Sequence, residues 1–182
     1  MLRLFIALEP PPPLRDELAA VQSRFDPLLP LRRVAADGIH LTLQFLGDTP
    51  ANQVAPLRQA LARLPQDPIR LRLDRLGVFP NPRRPQVLWV GLAGDLAVLQ
   101  ARRQQVIAAT GALGFQAERQ AFKPHLTIAR VRPHSPPEQF AAIAAALQQI
   151  RPPQPLAWDA APPRLIQSTL TPQGAIYRDL GP

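Results

Sequence analysis

Cysteine is absent from this chain of 182 residues, lysine occurs once, at Lys123, and histidine occurs three times. Without a thiol the protein has no disulfide, no cysteine nucleophile, no iron–sulfur cluster and no thiolate zinc site. No apolar run approaches the ~20 residues that cross a bilayer, and the apolar start at residues 1–8 is too short for a signal peptide. We therefore expect a cytoplasmic protein with no membrane partner.

The charge is strongly positive, with 21 basic residues against 13 acidic ones and a net charge of +8. Because lysine occurs once, almost all of the positive charge is carried by arginine, whose planar guanidinium suits phosphate. A G+C-rich genome also enriches arginine, together with the 24 prolines found here. The charge alone therefore does not identify a phosphate ligand.

The two halves of the chain repeat one pattern of strands and helices. Residues 3–8 align with 87–92 at an offset of 84, and residues 39–43 align with 124–128 at an offset of 85. Thr49 and Ser135, each followed by proline, then stand as predicted N-caps of amphipathic helices. A further helix lies between the two strands of each half, and residues 165–170 and 175–180 form a predicted closing hairpin.

This repeat predicts an α+β protein with two pseudo-symmetric lobes, each an antiparallel sheet with outer helices, around a central cleft. Residues 1–182 form one bilobed domain, with duplicated units at about 1–80 and 84–170. We expect a monomer.

Each half carries a His-x-Thr sequence on a predicted strand. Because side chains alternate along a strand, His40 and Thr42 share one face while Leu41 and Leu43 point into the core. His125 and Thr127 repeat this arrangement. One histidine on a strand is commonly structural, but two at matching positions of a repeat predict a pair that faces the cleft from both sides.

General acid–base catalysis fits two imidazoles and two hydroxyls best. A zinc site would lack ligands, because two histidines are too few and no acidic pair recurs in both halves. A serine-type triad would be asymmetric, whereas the halves match. One neutral and one charged imidazole would act as base and acid, and the hydroxyls would hold the oxygens of a tetrahedral anion.

The fifth residue after each histidine is Phe45 in the first half and Arg130 in the second. A ring and a guanidinium across a cleft would enclose a nucleobase. An odd offset points away from the histidine unless a bulge intervenes, so Phe45 as a core residue and Arg130 as a solvated strand end stay open. By the alignment, Trp89 is the counterpart of Phe5 and packs in the core.

These segments resemble the signatures of RNA 2′,3′-cyclic phosphodiesterases, the LigT-like branch of the two-histidine phosphoesterase superfamily. The resemblance is carried by RLFIAL at residues 3–8, HLTLQFLG at 40–47, KPHLTIAR at 123–130, and STL at 168–170 with GAIY at 174–177. It extends over essentially the whole chain. The chain departs from it at Arg33, where many relatives carry tryptophan.

The resemblance implies a bilobed enzyme that needs no metal or other cofactor and opens a terminal RNA 2′,3′-cyclic phosphate to the 2′-phosphate. It makes His40 the proton donor, His125 the proton acceptor, and Thr42 and Thr127 the residues that grip the phosphate. It also implies that Phe45 and Arg130 bind the substrate by enclosing its terminal base.

Two alternatives and one side reaction stay open beside this activity. The same chemistry would serve 2′,5′-linked oligonucleotides or a small cyclic nucleotide phosphate as substrate. Weak ATP-independent 2′,5′ ligation of RNA would accompany hydrolysis if a ribose hydroxyl replaced water. A basic RNA-binding module without catalysis is the second alternative, and the intact histidines and threonines argue against it.

Overall fold

The computed structural model describes residues 1–171 and 174–182, so the predicted turn at Pro172 and Gln173 lies outside the described residues. It contains nine strands and four helices in that part of the chain. In chain order these are β1 (Leu2–Leu8), α1 (Pro12–Ser23), β2 (Leu31–Arg33), β3 (Leu41–Thr49), α2 (Val54–Ala62), β4 (Ile69–Phe79), β5 (Val87–Gly94), α3 (Leu96–Gly111), β6 (His125–Val131), α4 (Pro137–Gln149), β7 (Ala157–Ala160), β8 (Arg164–Thr171) and β9 (Gly174–Asp179).

The strands form two antiparallel sheets, one of order β3-β1-β8-β9 and one of order β2-β6-β5-β4-β7. Each half of the chain contributes its central strand and its His-x-Thr strand as neighbours, β1 beside β3 and β5 beside β6. This arrangement confirms the predicted α+β fold with two sheet lobes.

Strand β1 lies inside its sheet and is buried on both faces, which explains its continuous apolar sequence. Leu4, Ile6 and Leu8 join the main core, which spans both lobes. Phe5 points to the other face and packs in a small cluster with Ile166 and Tyr177. Helix α1 covers the main core with a buried apolar stripe of the predicted spacing.

The predicted N-caps are wrong, because neither hydroxyl bonds to the start of a helix. Thr49 is the last residue of β3, and its Oγ1 donates to the Gly47 carbonyl. Ser135 Oγ donates to the Arg132 carbonyl, and Pro136 takes the cap position of α4. Pro137 is the first residue of α4, where the missing N–H of proline is tolerated and its φ suits a helix start, whereas Gln53 stands at the cap of α2 without a side-chain hydrogen bond.

Among the helices of the described residues, 1–171 and 174–182, the longest is α3, which has 16 residues. None of them is long and apolar enough to cross a membrane.

The two His-x-Thr strands meet their neighbours in the same register. Phe45 lies opposite Phe5, and Arg130 lies opposite Val87. Val87 therefore takes the place of Phe5 at an offset of 82, not 84, and the prediction that Trp89 is the counterpart of Phe5 is wrong. The duplication of units 1–80 and 84–170 stays a prediction, which this shared register supports.

Trp89 lies over Gly77, its partner in the β4–β5 ladder, and not in the main core. A Cβ built on Gly77 would overlap the indole ring. We expect Gly77→Ala to lower the free energy of unfolding by about 1–3 kcal/mol, the usual cost of overpacking, in urea denaturation followed by circular dichroism.

Gly111→Ala is the matched control, because nothing lies within 4 Å of its added Cβ at the end of α3. There alanine should leave stability unchanged or raise it by up to about 1 kcal/mol. Equal effects of the two substitutions would contradict the packing of Trp89 on Gly77.

Candidate active site

The His-x-Thr strands place their polar side chains on one face, as predicted. His40 stands directly before β3 and His125 is the first residue of β6. The intervening Leu41 and Leu126 are fully buried in the main core, while both histidines and both threonines are partly accessible. Backbone alternation therefore turns an imidazole and a hydroxyl of each lobe away from the core.

A β-bulge occurs at the same position of both strands, three residues after the histidine. Ile6 pairs with Gln44 and Ala7 with Thr42, so Leu43 has no partner in the ladder. In the second lobe the pairing likewise skips Ile128 between Ala129 and Thr127. The extra residue shifts the alternation by one, so the odd fifth position joins the face of the histidine.

The bulge determines where Phe45 and Arg130 point. Phe45 is 50% exposed, which excludes the alternative of a core residue. Both side chains line the same cavity as the histidines and threonines, so Arg130 is not merely a solvated strand end. Sequence reasoning left these alternatives open because a bulge depends on strand pairing.

One cavity of about 640 Å³ brings together all six predicted site residues. Strands β1, β2, β4, β5, β8 and β9 contribute further walls to it. Polar and aromatic side chains that sequence reasoning did not assign to the site also line it: Arg3, Phe5, Arg32, Phe79, Ser168, Thr171 and Tyr177.

Backbone hydrogen bonds orient the two imidazoles in the same way. The Nδ1 atom of His125 lies 2.7 Å from the Lys123 carbonyl oxygen, two residues earlier. A carbonyl only accepts, so Nδ1 carries the proton and Nε2 is left without one for the cleft. His40 is hydrogen-bonded to the backbone of Gly38, also two residues earlier.

Each imidazole is enclosed by two aromatic rings. The His40 ring centroid lies 4.5 Å from that of Phe5 and 4.9 Å, edge to face, from that of Tyr177. Phe79 contacts His125 at 4.9 Å, and Trp89 lies at 6.4 Å from it. The aromatic residues come from β1, β9, β4 and β5, so no local sequence signal connects them with the histidines.

Burial lowers the pKa of both imidazoles because it penalises the charged form. The pKa of His40 falls to about 4, with smaller contributions from the positive charge of Arg130 and from His125. Burial and Arg130 also lower the pKa of His125 below its usual 6.5. Backbone hydrogen bonds oppose both shifts without cancelling them. Both histidines are therefore predominantly neutral at pH 7.

Arg33 and the third histidine, His134, lie outside this site. The Arg33 guanidinium donates to the Phe25 carbonyl and does not line the cavity. His134 lies in a loop with φ of 63°. No group of three or more His, Asp or Glu residues within the described chain could hold a metal ion.

Two sheet lobes whose His-x-Thr strands face one cavity are the arrangement of a two-histidine phosphoesterase. A family model described as "LigT like Phosphoesterase" matches residues 8–89 and 91–177 of this chain. The chain belongs to the LigT-like phosphoesterase family and is an enzyme. This membership excludes the alternative of a non-catalytic RNA-binding module.

Known relatives agree with this membership. The chain is 33% identical over 152 residues to an Aeropyrum pernix protein named RNA 2′,3′-cyclic phosphodiesterase, covering 84% of this chain and 85% of the relative. It is 29% identical to the Archaeoglobus fulgidus protein of the same name, with 98% of each chain covered.

Solved structures share the fold over nearly the whole chain. The crystal structure of TT0787 of Thermus thermophilus superposes with a TM-score of 0.77 and 29% identity, covering 98% of this chain and 95% of that one. The crystal structure of Escherichia coli LigT complexed with 3′-AMP gives a TM-score of 0.77 and 25% identity, with the same coverage.

Proposed function

We propose that this enzyme hydrolyses terminal RNA 2′,3′-cyclic phosphates to 2′-phosphomonoesters by metal-independent acid–base catalysis. The observation that carries the proposal is the pair of His-x-Thr strands, which present two imidazoles and two hydroxyls to one cavity. The names of the relatives support the RNA substrate, and the 3′-AMP complex of Escherichia coli LigT is consistent with a nucleotide ligand.

The proposed reaction is a displacement at phosphorus. His125 takes a proton from water through Nε2 while the water oxygen bonds to phosphorus. The bond from phosphorus to O3′ breaks, and His40 gives its proton to O3′. The product keeps the phosphate on O2′. A ribose 5′-hydroxyl in place of water would leave a 2′,5′ linkage, and we propose such ligation as a weak side reaction.

Thr42 and Thr127 would donate hydrogen bonds to the non-bridging phosphate oxygens, where charge accumulates in the transition state. Phe45 and Arg130 would enclose the terminal base, since they stand on opposite His-x-Thr strands and line the same cavity. The aromatic rings around the imidazoles reduce their contact with solvent, which would strengthen the interactions with the phosphate.

A short RNA ending in a 2′,3′-cyclic phosphate, incubated with the enzyme and excess EDTA, tests the proposal. We expect conversion to a 2′-phosphate, distinguished from a 3′-phosphate by phosphorus NMR. Loss of turnover in EDTA would contradict metal independence. No conversion of the RNA, with turnover of a 2′,5′-linked dinucleotide or a small cyclic nucleotide, would select the alternative substrates.

The lowered pKa values of the histidines predict an acidic optimum for kcat/KM. The productive free enzyme has one protonated imidazole, and its fraction falls about tenfold per pH unit above the higher pKa. Since burial brings both pKa values below 6.5, we expect the maximum of kcat/KM below pH 6.5.

The pH optimum of kcat should differ from that of kcat/KM. A bound phosphodiester anion stabilises the imidazolium and raises the pKa of both histidines, so the kcat maximum should lie at higher pH than that of kcat/KM. Full pH profiles of both constants for wild type provide the test. Coinciding maxima above pH 7 would show that the histidines of the free enzyme are not shifted downward.

A further inference from the structure

The cavity that holds the two histidines is called the catalytic cavity below. A second pocket adjoins it at strands β2 and β6. It has a volume of about 610 Å³. It is lined by Arg32, Gln86, Val87, Arg130, Val131, Arg132 and Pro133. Arg32, Val87 and Arg130 line the catalytic cavity as well, so these three residues form the border between the two.

The pocket concentrates positive charge. Arg32 lies directly opposite Arg130 in the β2–β6 ladder, a like-charge pairing that destabilises a sheet. Arg132 lies two residues after Arg130, and all three arginines are exposed. In the part of the chain that the structure describes, none of them forms an ion pair with Asp or Glu. A bound anion would relieve this repulsion.

We propose that this arginine pocket binds the phosphodiester on the 5′ side of the terminal nucleotide. The inference rests on the proposed function, which places the terminal base beside Arg130 and the cyclic phosphate beside the histidines. The RNA chain then continues past Arg130, where Arg32 and Arg132 present guanidinium groups that match phosphate oxygens. The site is thus built for a polynucleotide end rather than for a cyclic mononucleotide.

Substrates with and without that phosphodiester test the pocket. They are adenosine 2′,3′-cyclic phosphate and the dinucleotide ApA with a terminal 2′,3′-cyclic phosphate. For Arg132→Gln we expect kcat/KM to fall about three- to tenfold on the dinucleotide and to stay unchanged on the mononucleotide. The slope of log kcat/KM against log salt on the dinucleotide should become shallower by about 0.7.

Arg63→Gln is the matched control, because Arg63 is an exposed arginine at the end of α2 outside both cavities. Equal kinetics of Arg132→Gln and Arg63→Gln on the dinucleotide would overturn the pocket but leave the proposed function standing. Failure of wild type on both substrates would overturn the proposed function. In that case fluorescence anisotropy of a labelled 2′-phosphorylated decanucleotide still tests the pocket, with weaker binding expected for Arg132→Gln only.

In each His-x-Thr strand, the carbonyl of the bulged residue accepts a hydrogen bond from a buried side chain of a helix. Arg103 of α3 donates from Nε to the Leu43 carbonyl at 3.0 Å. Gln22 of α1 donates from Nε2 to the Ile128 carbonyl at 2.6 Å. Leu43 and Ile128 are the bulged residues, so the bulges of the two lobes are held by equivalent side-chain-to-backbone hydrogen bonds.

These contacts cross between the halves of the chain. Helix α1 follows β1 of the first half but bonds to β6 of the second, and α3 follows β5 but bonds to β3. The geometry points to Arg103 and Gln22 as positioning residues that fix the bulges. Because the bulge brings the fifth position onto the histidine face, these two side chains control where Phe45 and Arg130 stand.

Two adjacent buried arginines of α3 allow the positioning role of Arg103 to be tested apart from its effect on stability. Arg103 bonds to the bulge, whereas Arg102 donates to the Asp67 carbonyl in a remote loop. We expect Arg103→Gln and Arg102→Gln to lower the melting temperature alike. Well below that temperature only Arg103→Gln should lower kcat/KM, by about ten- to a hundredfold, the scale of a small misplacement of reacting groups.

The division between KM and kcat gives a second readout. Displacement of Phe45 should raise KM for a cyclic nucleotide, whereas a merely less stable enzyme would keep its KM. If Arg103→Gln does not fold, Gln22→Met replaces it, since methionine keeps the side-chain length without the amide donor. Unchanged KM and kcat in the folded fraction of either variant would overturn the positioning role.

Discussion

His125→Ala should lower kcat for cyclic phosphate opening by about 10²–10⁴-fold, and His40→Ala by a similar factor. Each substitution removes a proton-transfer group whose ring is held by a backbone bond two residues earlier and by two aromatic rings. The fold should survive, because neither histidine belongs to the main core. Single-turnover rates with the cyclic RNA end, together with melting curves, measure both expectations.

His134→Asn is the control for loss of an imidazole elsewhere in the chain. Asparagine tolerates the positive φ of this position better than alanine, so the variant avoids backbone strain. It should retain wild-type kcat. Retained activity in both His40→Ala and His125→Ala would disprove the proposed site.

The leaving group distinguishes donor from acceptor. A phosphodiester with a nitrophenolate leaving group needs no protonation when the bond breaks, so it should restore turnover to His40→Ala but not to His125→Ala. Restoration in His125→Ala alone would reverse the two roles. Equal deficits on this substrate would show that neither histidine acts solely as the acid.

The parts of the site that follow from strand alternation were predictable from the sequence. Leu41 and Leu126 are apolar between polar neighbours, and a period of two fixes the face of His40 and His125 without any knowledge of pairing. The predicted strands and helices of the repeat are confirmed by the structure. They were predictable because their apolar residues recur at strand or helix spacing.

The parts that depend on register were not predictable. Whether Phe45 faces the cleft is decided by the bulge at Leu43, which exists only when β3 pairs with β1. The alignment of Trp89 with Phe5 matched two aromatic residues in similar apolar runs, but the ladder shifts the correspondence by two residues, to Val87. A shift by two preserves the face pattern, so hydrophobic periodicity could not reveal it.

The aromatic surroundings of the histidines depend on tertiary contact. Tyr177 reaches His40 from β9, and Phe79 reaches His125 from β4, both far away in sequence. These contacts explain why burial dominates the pKa of each histidine, an effect that an unperturbed value near 6.5 does not anticipate.

Thr42→Val and Thr127→Val should each lower kcat by about 10–10³-fold with little change in KM. Valine keeps the branched shape of threonine and removes the hydroxyl, so the strand is preserved while a donor to the charged phosphate oxygens is lost. Because that charge is larger in the transition state than in the bound substrate, the loss falls on kcat. Steady-state kinetics with the dinucleotide cyclic phosphate measure the separation.

Three further variants make this result decisive. Thr42→Ser and Thr127→Ser keep the hydroxyl and should recover most of kcat, whereas Thr169→Val removes a hydroxyl from an exposed position of β8 outside the cavity and should have no effect. If the serine variants were as slow as the valine variants, packing of the methyl group rather than hydrogen bonding would explain the loss. If Thr42→Val raised KM and left kcat unchanged, its hydroxyl would bind substrate and transition state equally, and the transition-state role assigned to it would be wrong.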